Sequence, residues 1–183
     1  MNIESFAKTK IGKFIVRGIG SAMESSLRYR FFGPMKILEN AEIQPGQIIL
    51  EIGCGTGYFT LPAARLIGEN GNLIAMDILP ESVDLVSRKV RDAALKNVRV
   101  IKGDALNTGL DDESFDIVLL FGEIPAPILP LEKLLPEMHR VLKKGGKMAV
   151  WPPVPGWLPH SILKTGLFSL SSRRKGVYNF DRC

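Results

Sequence analysis

The residues best suited to chemistry stand in one stretch, Ile48-Ile49-Leu50-Glu51-Ile52-Gly53-Cys54-Gly55-Thr56-Gly57-Tyr58-Phe59-Thr60. An apolar run ends around a carboxylate, three glycines follow at alternate positions, and a helical pattern begins after them. Glycine has no Cβ and enters left-handed backbone freely, so such a turn lets a ligand touch main chain. Ligands of open parallel sheets bind beyond the carboxyl ends of the strands. The spacing is G-x-G-x-G, whereas a dinucleotide fingerprint is G-x-G-x-x-G, with the third glycine packing helix on strand. Tyr58 stands at that third position, which argues against a nicotinamide or flavin dinucleotide. Further along, Asp77, Asp104 and Glu123 each close or follow an apolar run, and His160 comes after the last of these runs.

These positions need a scaffold, and the hydrophobic pattern supplies one. Strands are predicted over 48–52, 73–77, 98–101, 115–121 and 147–151, and helices over 58–67, 80–95 and 131–142. Pro80 suits the first turn of its helix. Basic residues followed by Gly145-Gly146 read as the end of the helix over 131–142. Gly33-Pro34, Pro45-Gly46 and Asn70-Gly71 mark turns, with a short helix over 35–41 between the first two. Strands alternating with helices give an α/β fold with a parallel sheet covered on both faces. The first 27 residues read as a helix, with Ile3, Phe6, Ile11, Phe14, Ile15 and Ile19 on one stripe and Lys8, Lys10, Lys13 and Arg17 mostly off it. Residues 1–42 are therefore expected to form an N-terminal helical cap, and 43–183 one compact unit. In the tail, a short helix over 160–166 precedes a hairpin of 167–172 and 177–181, turned by Arg173-Arg174-Lys175-Gly176.

A chain of 183 residues with 45% hydrophobic and 23% charged residues fits one soluble domain. No apolar run is long enough to span a bilayer, and the start lacks a secretory-type apolar core. Cys54 and Cys183 are too few for a disulfide framework, and a cytoplasmic location is expected. The net charge of +5 sits at the ends: residues 1–30 hold six Lys/Arg and two Glu, and residues 164–183 hold five Lys/Arg and one Asp. That asymmetry points to an anionic partner or to solvated charge.

The glycine spacing, with Glu51 before it, resembles motif I of the class I S-adenosylmethionine-dependent methyltransferases. Ile74-Ala75-Met76-Asp77-Ile78, Lys102-Gly103-Asp104-Ala105, Phe115-Asp116-Ile117-Val118-Leu119-Leu120 and His139-Arg140-Val141-Leu142-Lys143-Lys144-Gly145-Gly146 resemble that family's later motifs, in order. Coverage runs over about 43–151, and the nearest group is the ubiquinone/menaquinone-biosynthesis-like one. The resemblance implies a Rossmann-like, doubly wound, mostly parallel seven-stranded sheet of order 3-2-1-4-5-7-6. It also implies S-adenosylmethionine as cofactor, S-adenosylhomocysteine as product and no metal. On this reading Asp77 accepts the ribose hydroxyls, Ile78 covers the adenine, and Asp104 with Ala105 meets the adenine edge. Gly53, Cys54, Gly55, Thr56 and Gly57 approach the methionine half and ribose. Glu51 lies near the amino-acid moiety or braces the turn, and Phe121 and Gly122 add backbone contacts.

Methyl transfer from a sulfonium is an in-line displacement in which proximity supplies much of the acceleration. A base is needed only where the acceptor must lose a proton. Glu123 is the candidate base and His160 a second one, while His139 sits among apolar helix residues and reads as structural. Phe121-Gly122-Glu123-Ile124-Pro125 lacks the Asn/Asp-Pro-Pro-Tyr/Phe clamp of adenine and glutamine amino-group enzymes. No Cys is free for cytosine C5 or arsenite chemistry, and no cluster has metal-ligand spacing. The expected acceptor is a small hydrophobic or anionic molecule, framed by the basic ends, with peripheral contact to an anionic membrane surface as an accompanying expectation. A silent cofactor-binding protein and an RNA methyltransferase are the alternatives, nucleic acid having no recognisable binding module here.

Overall fold

The structure is a computed structural model and describes residues 33–122, 130–152 and 159–183. The strongest apolar runs become the central strands. β1 (Ile48–Ile52), β2 (Asn72–Asp77), β3 (Val98–Lys102), β4 (Phe115–Phe121) and β5 (Leu142–Trp151) pair in parallel. β6 (Phe168–Arg174) and β7 (Val177–Arg182) form an antiparallel hairpin joined to β5. The seven-stranded sheet has the order β3-β2-β1-β4-β5-β7-β6, as the resemblance implied.

Strand side chains alternate between the two faces, so each face has its own core. Ile49, Ala75, Ile117, Leu119 and Ala149 pack on α1 (Pro34–Leu38), α2 (Thr60–Ile67) and α3 (Pro80–Asp92) through Ile37, Ala63, Ile67, Val86 and Val90. Leu50, Ile52, Val118, Leu120 and Met148 pack on α4 (Leu131–Val141) and α5 (His160–Leu163) through Leu134, Leu135, Met138, Val141 and Ile162. The crossover from β3 to β4 carries no helix and folds back as turns from Asp104 onward. Arg140 of α4 fastens it, donating to Thr108, to the Leu110 carbonyl and to Asp112.

Two local expectations are corrected. Gly145-Gly146 does not end α4: the helix stops at Val141, and Leu142 is already extended and paired with Phe115. The next pair is Ile117 with Lys147, so residues 143–146 bulge out of β5. A Cβ on Gly146 would stand 2.9 Å from the Lys143 carbonyl oxygen, which explains a glycine there. The tail hairpin turns on Lys175-Gly176 alone, with φ of +45° and +89°, while Arg173 and Arg174 stay in β6. Positive φ at both central residues is the two-residue turn whose twist suits a hairpin.

The carboxyl ends of β1 to β5 share one edge of the sheet. Because β7 runs antiparallel to β5, pairing Tyr178 with Val150, the hairpin turn lies at that same edge. Of the expected cap, residues 33–42 are described. Ile37, Leu38 and Ala41 are buried, and the Asn40 carbonyl accepts from the Asn179 side chain at 2.9 Å. The helix expected over the first 27 residues and Glu123 lie outside the described residues.

Candidate functional site

Gly53, Gly55 and Gly57 follow β1 with φ of +73°, +51° and +81°, conformations that side chains other than glycine's rarely adopt. The turn is stitched to the end of β2: Gly53 and Cys54 N–H both donate to the Met76 carbonyl, at 2.8 and 3.1 Å. Gly57 N–H closes the turn on the Cys54 carbonyl at 2.7 Å.

Asp77, the last residue of β2, stands against this turn. One carboxylate oxygen accepts from Gly55 N–H and the other from Leu79 N–H, each at 2.9 Å. Its residue is 8% exposed. Burial holds its carboxyl above the ordinary value, against the opposing pull of hydrogen bonds from Leu79, Gly55, Ile78 and Ser82. No salt bridge reaches it among the described residues. Gly103 N–H donates to the Asp77 carbonyl at 3.0 Å, so Asp104 and Ala105 emerge beside it. Asp104 is exposed; its carboxylate caps a local turn by accepting from Leu106 N–H at 2.9 Å.

Glu51 is 3% exposed and accepts from the Thr60 hydroxyl at 2.6 Å, which ties the end of β1 to the first residue of α2. At the neighbouring strand ends, Gly122 N–H donates to the Trp151 carbonyl at 2.8 Å. Aromatic rings meet edge to face along the same edge: Phe59 contacts Tyr58, Phe121 and Trp151, with centroids 5.0, 4.9 and 5.8 Å apart.

The fold thus brings Glu51, the glycine turn, Asp77, Ile78, Asp104, Ala105, Phe121 and Gly122 to one edge. His160 is exposed at the first position of α5, and no hydrogen bond or ring contact joins it to the turn among the described residues. His139 is 2.9 Å from the Cys183 carbonyl and edge-on to Phe168, a structural setting. No group of three or more His, Cys, Asp or Glu is placed to hold a metal among the described residues.

Three residues of α3 were missed by sequence reasoning. Ser82 bonds the Asp77 carboxylate. Val86 lies under Gly57, its methyl carbon 3.3 Å from where a Cβ on that glycine would be. Lys89 donates to the Thr56 carbonyl at 2.9 Å. Their spacing of four and three puts them on one helix face.

A ligand for this edge must offer hydroxyl donors to a buried carboxylate and tolerate close main-chain contact. Asp77 meets no cation among the described residues, and a carboxylate is an acceptor whose two oxygens suit vicinal hydroxyls. That chemistry fits an adenosyl ribose. Fold and cradle together define a class I, S-adenosylmethionine-type methyltransferase domain.

A family model described as a methyltransferase domain matches residues 49–146, and the chain belongs to that family. It is 33% identical over 134 residues to a demethylmenaquinone methyltransferase of Lactobacillus johnsonii, covering 72% of this chain and 52% of that protein. A protein of the same name from Listeria welshimeri is 35% identical over 120 residues, covering 63% and 50%. The chain thus spans about half the length of these curated relatives. A solved S-adenosylmethionine-dependent methyltransferase of Aquifex aeolicus shares the fold at TM-score 0.72 and 23% identity, covering 88% of this chain and 95% of that one.

Proposed function

We propose that this domain binds S-adenosylmethionine at the carboxyl edge of its sheet and directs methyl transfer to a small hydrophobic or anionic acceptor. The observation that carries the reading is Asp77, a buried carboxylate bonded to Gly55 and Leu79 N–H beside three left-handed glycines. When bound, the cofactor supplies an electrophilic methyl group on a sulfonium. The chain's part is to hold and exclude. Asp77 accepts the ribose hydroxyls, charge-assisted bonds being the stronger kind. Ile78 covers one adenine face, Asp104 and Ala105 meet its edge, and the turn from Gly53 to Gly57 admits the methionine arm. Glu51, locked by Thr60, keeps the turn's entry strand fixed. A carboxylate oxygen of Glu123, or a ring nitrogen of His160, takes the proton where the acceptor is a hydroxyl.

The names of the relatives make a quinone-type ring the first acceptor to try. Charge adds a second guide. Arg173 and Lys175 are exposed around the hairpin turn, and Gly176 lies against the Trp151 indole at the proposed ligand edge. These basic groups favour an anionic acceptor or an anionic surface nearby.

Calorimetric titration with S-adenosylhomocysteine, S-adenosylmethionine and NADH tests the cofactor. Binding of the first two is expected, and binding of NADH alone would reverse the reading. Labelled-methyl transfer to a demethylated quinol, a phenol and a bulk RNA then separates the acceptors. A protein that binds the cofactor and transfers to none of them would be a silent binder.

A further inference from the structure

The face of α3 that carries Ser82, Val86 and Lys89 touches both halves of the proposed cofactor cradle. Ser82, in the first turn of the helix, reaches the Asp77 carboxylate. Val86, one turn on, sets the packing distance under Gly57. Lys89, nearly a further turn on, donates its ammonium to the Thr56 carbonyl at 2.9 Å. Thr56 is the residue between Gly55, whose N–H is held by Asp77, and Gly57, whose N–H closes the turn. A loop of glycines has many conformations to lose on binding, since glycine is the residue least restrained by its own backbone. Fixing it beforehand reduces the ordering cost that binding must overcome.

We propose that Lys89 is a positioning residue for the cofactor cradle: from one rigid helix it fixes the glycine turn at a set distance from Asp77. The inference rests on the S-adenosylmethionine reading above. Lys89 acts through the Thr56 carbonyl and need not touch the ligand. An ammonium also suits the place chemically, because a charged donor bonds a carbonyl more strongly than a neutral one. The bond joins residues 33 apart in sequence, so it constrains the turn in a way that no local contact does.

The test compares Lys89→Met, which keeps the length and packing of the stem, with Lys89→Arg, which keeps a charged donor. Two readouts are used: amide hydrogen exchange of the ligand-free protein over residues 53–57, and calorimetry with S-adenosylhomocysteine. Lys89→Met is expected to speed exchange at Gly55 and Gly57 and to weaken binding about tenfold, in keeping with loss of one charged hydrogen bond. Its melting temperature should move by no more than about 4 °C. Lys89→Arg should recover most of both effects. In the intact enzyme the loss should appear in KM for the cofactor, with kcat at saturation little changed. Lys89→Met with unaltered exchange, or with affinity within twofold of the parent, overturns the proposal. If the parent protein itself fails to bind S-adenosylhomocysteine, the cofactor reading falls, and the exchange readout still reports whether Lys89 holds the turn.

Discussion

The two edges of the sheet treat their carboxylates in opposite ways. At the carboxyl edge, Asp77 is buried and receives backbone N–H groups and the Ser82 hydroxyl, and its carboxyl is held above the ordinary value. At the opposite edge, carboxylates meet cations. Asp116 pairs with Lys143 at 2.7 Å and also accepts from Ile48 N–H. Glu42 pairs with Lys147 and Arg174 and is held below its ordinary value, chiefly by the Lys147 bond. Arg182 reaches Glu113 at 2.9 Å. Glu137 is pulled down to about 2, first by its hydrogen bond from Arg140. One edge has its charges neutralised and braces the fold. The other keeps Asp77 without a cation partner among the described residues, and a buried carboxylate of that kind marks a candidate ligand site.

The contrast can be broken most directly at Asp77. Asp77→Ala should lower S-adenosylhomocysteine affinity by about 100-fold or more, as expected for losing two charge-assisted bonds. Calorimetry of a variant with a native circular dichroism spectrum measures it. Unchanged affinity would remove Asp77 from the site.

Two glycines sharpen the comparison. Gly57→Ala forces a side chain into left-handed backbone and against Val86, at a cost of about 1–2 kcal/mol for the backbone alone. It should lower the melting temperature by several degrees and weaken binding as well. Gly146→Ala, crowded by the Lys143 and Asp116 carbonyls, should lower the melting temperature and leave binding within about twofold. Thermal melts with and without S-adenosylhomocysteine read both effects.

Acid titration gives the smaller effects, of opposite sign. The folded-state pKa of Glu137 is depressed, so its stabilising contribution is present above about 4.5 and is lost as pH falls from there towards about 2. Glu137→Gln should flatten that loss in urea-unfolding curves recorded down the pH scale, with cofactor affinity retained. The Asp77 carboxyl is shifted upward, so the folded state holds the proton more readily than the unfolded chain. Its contribution is complete below the ordinary carboxylate range and is lost as pH rises through the raised value. Asp77→Asn should remove that decline, and a profile parallel to the parent's would count against the assigned burial cost.

The central strands were legible because burial on both faces leaves continuous apolar runs such as Ile117-Val118-Leu119-Leu120. Asp77 was legible because its place at a strand end follows from the same pattern. Gly145-Gly146 misled, since a helix end and a strand bulge both call for residues that relieve crowding. Lys89 was invisible for another reason. Periodicity shows that it lies on a mixed helix face but not which loop that face meets, and the loop is 33 residues away in sequence. Asp104 was found by motif, and its exposed, turn-capping setting only appears once Leu106 is placed.

The sheet's two outermost strands have a consequence for the protein in concentrated solution. β3 carries Arg99 and Lys102, and β6 carries Arg173 and Arg174 and is put out of register at Ser171, between its pairs at Leu170 and Ser172. Bare strand rims invite ladder growth by a second molecule, and cations and irregular pairing discourage it. With both rims guarded in this way, fibril-like stacking is opposed at each end of the sheet, and the protein should stay dispersed at concentrations where a flat, uncharged rim would seed precipitation.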